Sequence, residues 1–157
     1  MLLHRNGRVA WGAGIALFLV GFLLVGFTPG QAQALERVGR RLQMVALTNE
    51  DREAHGRRDL AFQAQVSRYA KAHSRAMASD GYIYHSTEEQ LLDALGDVDW
   101  SLGGENVGVG GSLDSLQRAF MASKLHRQNI LRKTFDHMAV GIFRGDGSIW
   151  ITVIFYG

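Results

Sequence analysis

The sequence predicts an α+β domain with helices above and below a central sheet, set behind an N-terminal hydrophobic leader. Three observations carry this reading. Apolar residues recur at helical spacing in successive stretches between Leu35 and Phe120. Two β-rich runs close the chain, Met138–Arg144 and Ser148–Phe155, and the second is apolar on both faces, as a sheet covered on both sides requires. Val9–Phe27 is a 19-residue stretch without a charge.

The elements follow in order. His4, Arg5 and Arg8 precede the uncharged run, Thr28-Pro29-Gly30 follows it, and Ala32-Gln33-Ala34 is a small-x-small site. This is the pattern of a secretory signal cleaved after Ala34. The competing reading is an uncleaved anchor, because nineteen helical residues reach roughly 28 Å, close to a bilayer core. Either way the basic end stays inside, so residues 35–157 are expected outside the cytoplasm. Leu35, Val38, Leu42 and Val45 recur at helical spacing and, with Met44 and Leu47, predict a first helix that runs to about His55 and stops at Gly56. Phe62, Val66, Tyr69, Ala70, His73 and Met77 share one face of a second helix, which ends before Asp80-Gly81. Ser86 with Glu89 reads as a capping box opening a short helix through Leu91, Leu92 and Leu95. The acids Glu88, Glu89, Asp93, Asp97 and Asp99 read as a solvated face. After the glycine-rich stretch Gly103–Gly111, Ser112 caps a helix with Leu113, Leu116 and Phe120 inward. Gly145-Asp146-Gly147 turns the final hairpin, with Trp150, Thr152 and Ile154 on one face and Ile149, Ile151, Val153 and Phe155 on the other.

Composition excludes several functions. The chain has 157 residues, room for one domain after the leader, and no cysteine, hence no disulfide framework, thiolate metal site or thiol nucleophile. Its formal net charge of +2 comes from Arg5 and Arg8, so residues 35–157 balance to zero and offer no argument for nucleic-acid binding. There is no G-x-S-x-G, H-E-x-x-H or N-x-S/T motif. Gly108-x-Gly110 lacks the third glycine of a dinucleotide fingerprint and the lysine of a phosphate loop. Arg144-Gly145-Asp146 spells an adhesion tripeptide, but Asp146-Gly147 is what a tight hairpin needs.

Five histidines follow the leader. His73 reads as a core residue on the apolar face of the second helix, and His55 and His137 as solvated residues near element ends. His85 and His126 lie just outside helix ends. Two histidines and a carboxylate suit a divalent metal with water in the open position, although a separation of 41 residues is no local motif. Glu105 stands inside the glycine run, where it either fixes the loop by accepting backbone N–H bonds or serves a site.

Several segments together resemble one family. Leu47-Thr48-Asn49-Glu50-Asp51-Arg52 is similar to the N-E-x-R helix of the CAP superfamily, the cysteine-rich secretory, antigen-five and pathogenesis-related or SCP-like proteins. Ala72-His73-Ser74-Arg75-Ala76-Met77-Ala78, followed by Gly81 and His85, resembles A-x-H-S-x-x-M-A-x-x-G-x-x-x-H. Gly104-Glu105-Asn106-Val107 is similar to G-E-N-[IVL], and Ser123 to Leu131 to the S-x-x-H-R-x-N-I-L of the cysteine-free bacterial branch. Gly141 to Phe155 fits the terminal strand pair loosely, so the resemblance covers Met44 to Gly157. It implies a three-layer α/β/α sandwich and a cleft of two histidines and two acids that holds zinc or another divalent cation in some members. Carried over, these are His85, His126 and Glu105, with Ser123 where the second acid belongs. A hydroxyl is a poor zinc ligand, which weakens the expectation of metal.

Three functions compete. The first is an exported binding module for a small ligand or an envelope component: lipid, peptide or polymer. The second is a metal-assisted hydrolase, His85 and His126 holding the ion and Glu105 positioning water. The third is a structural or adhesion role at the cell surface. None calls for nucleic acid, and membrane contact is expected only through residues 9–27 of an uncleaved leader.

Overall fold

The computed structural model describes residues 28–96 and 98–157; the uncharged stretch Val9–Phe27 and Asp97 lie outside them. Among the described residues no helix is long and apolar enough to cross a membrane.

Helix α1 (Pro29–Ala54) opens on a capping box between Thr28 and Gln31 and ends at His55, before Gly56. Strand β1 (Ala61–Phe62) leads to α2 (Val66–Asp80) and α3 (Glu88–Leu95). Then come β2 (Gly103–Gly110), α4 (Leu113–Ala122), α5 (Lys124–Ile130), β3 (His137–Gly145) and β4 (Ser148–Tyr156). The strand order is β1-β3-β4-β2, antiparallel except for the β1–β3 pair. Asp146 and Gly147, both at positive φ, form the two-residue turn of the hairpin.

The alternation read from β4 sorts two apolar clusters. Ile149, Ile151, Val153 and Phe155 pack with Met44, Leu113, Leu116, Phe120 and Ile130 under α1, α4 and α5. Ile154 and Tyr156 pack with Val66, Ala70, Ala94 and Leu95 under α2 and α3. The result is the three-layer sandwich expected. Helix α2 lies directly on the sheet, since a Cβ on Gly141 of β3 would fall 2.0 Å from the Ala70 carbonyl carbon. Two buried serines fasten this crossing. Ser74 Oγ lies within hydrogen-bond distance of Gly141 O and Thr152 Oγ1, and Ser67 Oγ accepts from Val140 N.

Several expectations need correction. Leu35, Val38 and Leu42 are 41–57% exposed, while the buried residues of α1 are Met44, Thr48 and Arg52. The helix begins well ahead of its buried part, and its first turns are exposed. Phe62 belongs to β1, not α2. His73 is half-buried; the core stripe of α2 runs through Val66, Ala70, Ser74 and Met77, one step round the helix. The capping box of α3 is Thr87 with Gln90, not Ser86 with Glu89. The glycine stretch is a strand, and its glycines make room for helices: a Cβ on Gly108 would meet Leu116 and Phe120 at 3.2 Å. Finally, His126 sits within α5 rather than beyond a helix end.

Candidate functional site

Glu105 is on β2, in register with Ile154 of β4, and is 6% exposed. A carboxylate this buried needs its oxygens satisfied. Oε1 accepts from His85 Nδ1 and from Ser86 N, each at 2.9 Å, and Oε2 accepts from Ser86 Oγ at 2.6 Å. The α2–α3 connection is thereby tied to the sheet through one side chain. Ser86, read from sequence as a helix cap, is instead the main partner of Glu105. The signal was present: Thr87-x-x-Gln90 is the better capping pair and leaves Ser86 free for another task.

With Nδ1 directed at the carboxylate, a neutral His85 donates from that atom and keeps its lone pair on Nε2. The His85 side chain is 59% exposed, so the imidazole is reachable from solvent. His126 is half-buried and its ring lies 5.1 Å from that of Phe120. Burial lowers its pKa below the ordinary value, and the neighbouring His85 lowers it further. At neutral pH His126 is therefore an uncharged imidazole within electrostatic reach of His85.

Two asparagines outside the original candidate set fix His126. Asn106, fully buried on β2, donates from Nδ2 to the carbonyl of His126 at 3.1 Å and accepts from Asn129 Nδ2 at 2.9 Å. Asn129 Nδ2 also reaches Glu105 O at 3.1 Å. The G-E-N and H-R-x-N segments thus meet through their asparagines, which hold α5 against β2. Ser123 is the hinge residue between α4 and α5, and its side chain makes no capping bond to α5.

The structure thus joins His85 to Glu105 directly and sets His85 close enough to His126 to lower its pKa. It does not assemble a metal cluster: among the described residues no three His, Asp or Glu side chains are grouped to hold an ion. The donor chemistry gives the reason. Both oxygens of Glu105 are committed inward, leaving two imidazoles where a catalytic zinc takes three protein ligands. These residues do not fit a catalytic zinc centre.

A sheet in this order, with α2 and α3 on one face, the other three helices opposite and an imidazole–carboxylate pair at the surface, defines a CAP-type sandwich. The family model for the cysteine-rich secretory protein family, CAP, matches residues 45–155, and the chain belongs to that family. The chain is 30% identical over 128 residues to the uncharacterised protein YkwD of Bacillus subtilis (strain 168), covering 78% of this chain and 47% of that one. Among solved structures it is similar to an extracellular protein containing an SCP domain from Bacillus anthracis, at 28% identity and a TM-score of 0.67, over 83% of this chain and 44% of that one. An outer surface protein of Borrelia burgdorferi shares the fold alone, at 16% identity and a TM-score of 0.63, over 72% of this chain and 88% of that one. The chain spans less than half the length of the two Bacillus relatives.

Proposed function

We propose that the chain is an exported ligand-binding module, a CAP domain that engages a small ligand or an envelope component at the His85 face, and not a metal-assisted hydrolase. The observation that carries this is the condition of Glu105. Its carboxylate is buried and accepts three hydrogen bonds from His85 and Ser86. A general base needs a lone pair within reach of the proton it removes, and the Glu105 side chain is only 3% exposed. His85 keeps a free nitrogen, and no described hydrogen bond brings a hydroxyl to it; the Ser86 hydroxyl donates to Glu105 instead. What remains is a fixed, solvent-reachable imidazole beside a neutral one, suited to hydrogen-bonding a polar ligand group. The basic n-region and uncharged stretch before Thr28 support export, and so do relatives described as extracellular and outer-surface proteins.

Two measurements test this. In a calorimetric zinc titration, wild type, His85→Ala and His126→Ala should all lack micromolar affinity. Micromolar binding by wild type, lost in both variants, would restore the metal-assisted reading. In co-sedimentation with peptidoglycan sacculi and with phospholipid vesicles, wild type should be retained by one of the two and His85→Ala should be retained less. Retention by neither, or equal retention of the variant, would overturn the module reading.

A further inference from the structure

A cavity of about 280 Å³ opens between α2 and α3, on the sheet face opposite α1, α4 and α5. None of its walls is His85, Glu105 or His126, and it does not depend on what the His85 face binds. Its floor is apolar and small: Ala70, Ala94, Leu91 and Ile154. Its rim is polar and aromatic: Tyr69, His73, Tyr84, Ser86 and Gln90.

The rim is held in place. His73 Nε2 donates to the carbonyl of Tyr84 at 2.8 Å, and the two rings meet edge to face at 5.1 Å. The Tyr84 hydroxyl is bound to Asp80 at 2.8 Å, and the ring of Tyr82 lies 5.2 Å from that of Tyr84. Gln90 uses its carbonyl oxygen on Thr87 N, which leaves its amide N–H groups as donors. At the mouth Tyr69 is 48% exposed, and Tyr82, packed against Tyr84, is 62% exposed. Three tyrosines on one side of a small domain, two of them about half exposed or more, are costly to leave facing water.

We infer that this cavity is a subsite for one sugar ring of a polysaccharide. The chemistry selects that occupant over a hydrocarbon chain. A buried acyl chain would cover the polar rim and leave the Gln90 amide without a partner. A pyranose ring has an apolar C–H face to lay on a tyrosine ring or the alanine floor, and an edge of hydroxyls to pair with Gln90, His73 and Tyr69. An open, shallow, aromatic-rimmed site also suits a ring that continues into a chain on either side, whereas an acyl chain requires enclosure. Ser86 is common to this cavity and to Glu105, so the subsite adjoins the His85 face.

The test uses the full chain in a zwitterionic detergent without sugar, titrated with a β-1,4-linked N-acetylhexosamine trisaccharide and, separately, with decanoate. Amide resonances of Tyr69–Ala76 and Gln90–Ala94 should shift with millimolar trisaccharide. Tyr69→Ala removes an exposed ring and Ala72→Trp crowds the cavity from an exposed position, so both should fold; each should weaken the trisaccharide at least tenfold. Shifts with decanoate and none with the trisaccharide would replace the sugar by an acyl chain and overturn the inference. So would trisaccharide shifts that persist unchanged in both cavity variants.

Discussion

Arg52 is the largest fully buried side chain, and none of its described hydrogen bonds goes to a carboxylate. Its guanidinium donates instead to the carbonyls of Arg58, Ile130, Arg132 and Phe135, at 2.6–3.3 Å. Burial, and then the charge of Arg57, lower its pKa, but a guanidinium stays protonated. One planar fork therefore ties two stretches to α1, the turn at Arg58 and the connection from α5 to β3. A lysine offers a point charge and three donors on a thin stem and cannot span the same carbonyls. Arg52→Lys should lose ~3 kcal/mol, the desolvation cost of one or two orphaned carbonyls, read from the urea midpoint at constant slope. A second residue-scale expectation concerns His126. Its pKa is lowered in the fold, so the unfolded chain takes up the proton first as pH falls. The stability tied to a neutral His126 is whole above about pH 6.5, the unfolded value, and is lost as pH falls through the lowered folded value. Urea midpoints at pH 7.5 and 5 should differ more in wild type than in His126→Gln; equal differences would remove His126 from the pH dependence.

At the scale of elements, the α2 crossing is the tightest contact. A Cβ at Gly141 would overlap backbone atoms of Ala70 and Lys71 at 2.0–2.3 Å, which neither a helix nor a central strand is free to vacate. Gly141→Ala should cost about 3 kcal/mol or more by overpacking and lower the thermal midpoint by many degrees, whereas Gly39→Ala, in open space on α1, should not destabilise. The same crossing shows which elements were legible. The hairpin strand β4 was readable because burial on both faces makes nearly every position apolar. The strand β2 was not, because its residues are small for the sake of α4 and α5, and glycine in a sequence looks like a loop. Phe62 misled for a related reason: at helical distance from Val66, it joins β3 by parallel pairing that no local pattern announces. The candidate site divides the same way. His85, Glu105 and His126 were found through the family motifs, since nothing in their spacing marks them. Ser86 and Asn106 were missed as partners because their roles exist only once the sheet brings residues 85, 105 and 126 together.

For the whole molecule, the open question is where its first residue lies. The small-x-small site Ala32-Gln33-Ala34 sits within α1, exposed and several turns ahead of the packed part of the helix. Processing there would remove Thr28 and its cap yet leave Met44, Thr48 and Arg52 untouched. Mass spectrometry of exported protein should show an N-terminus at Leu35; an intact N-terminus in a membrane pellet would establish the anchor, and free cytosolic protein would exclude both.

The strand order carries a consequence for how the molecule comes into being. The two central strands, β3 and β4, follow the edge strands β1 and β2 in the chain. Until residues 137–156 have left the ribosome, β1 and β2 have no neighbour to pair with, and the helices lack the surface that buries their apolar faces. Edge and helix must wait on residues 137–156, so the domain closes in one late step across most of its length. A domain built this way is held open until its closing hairpin has been made, which is the form in which a polypeptide is threaded through a narrow channel.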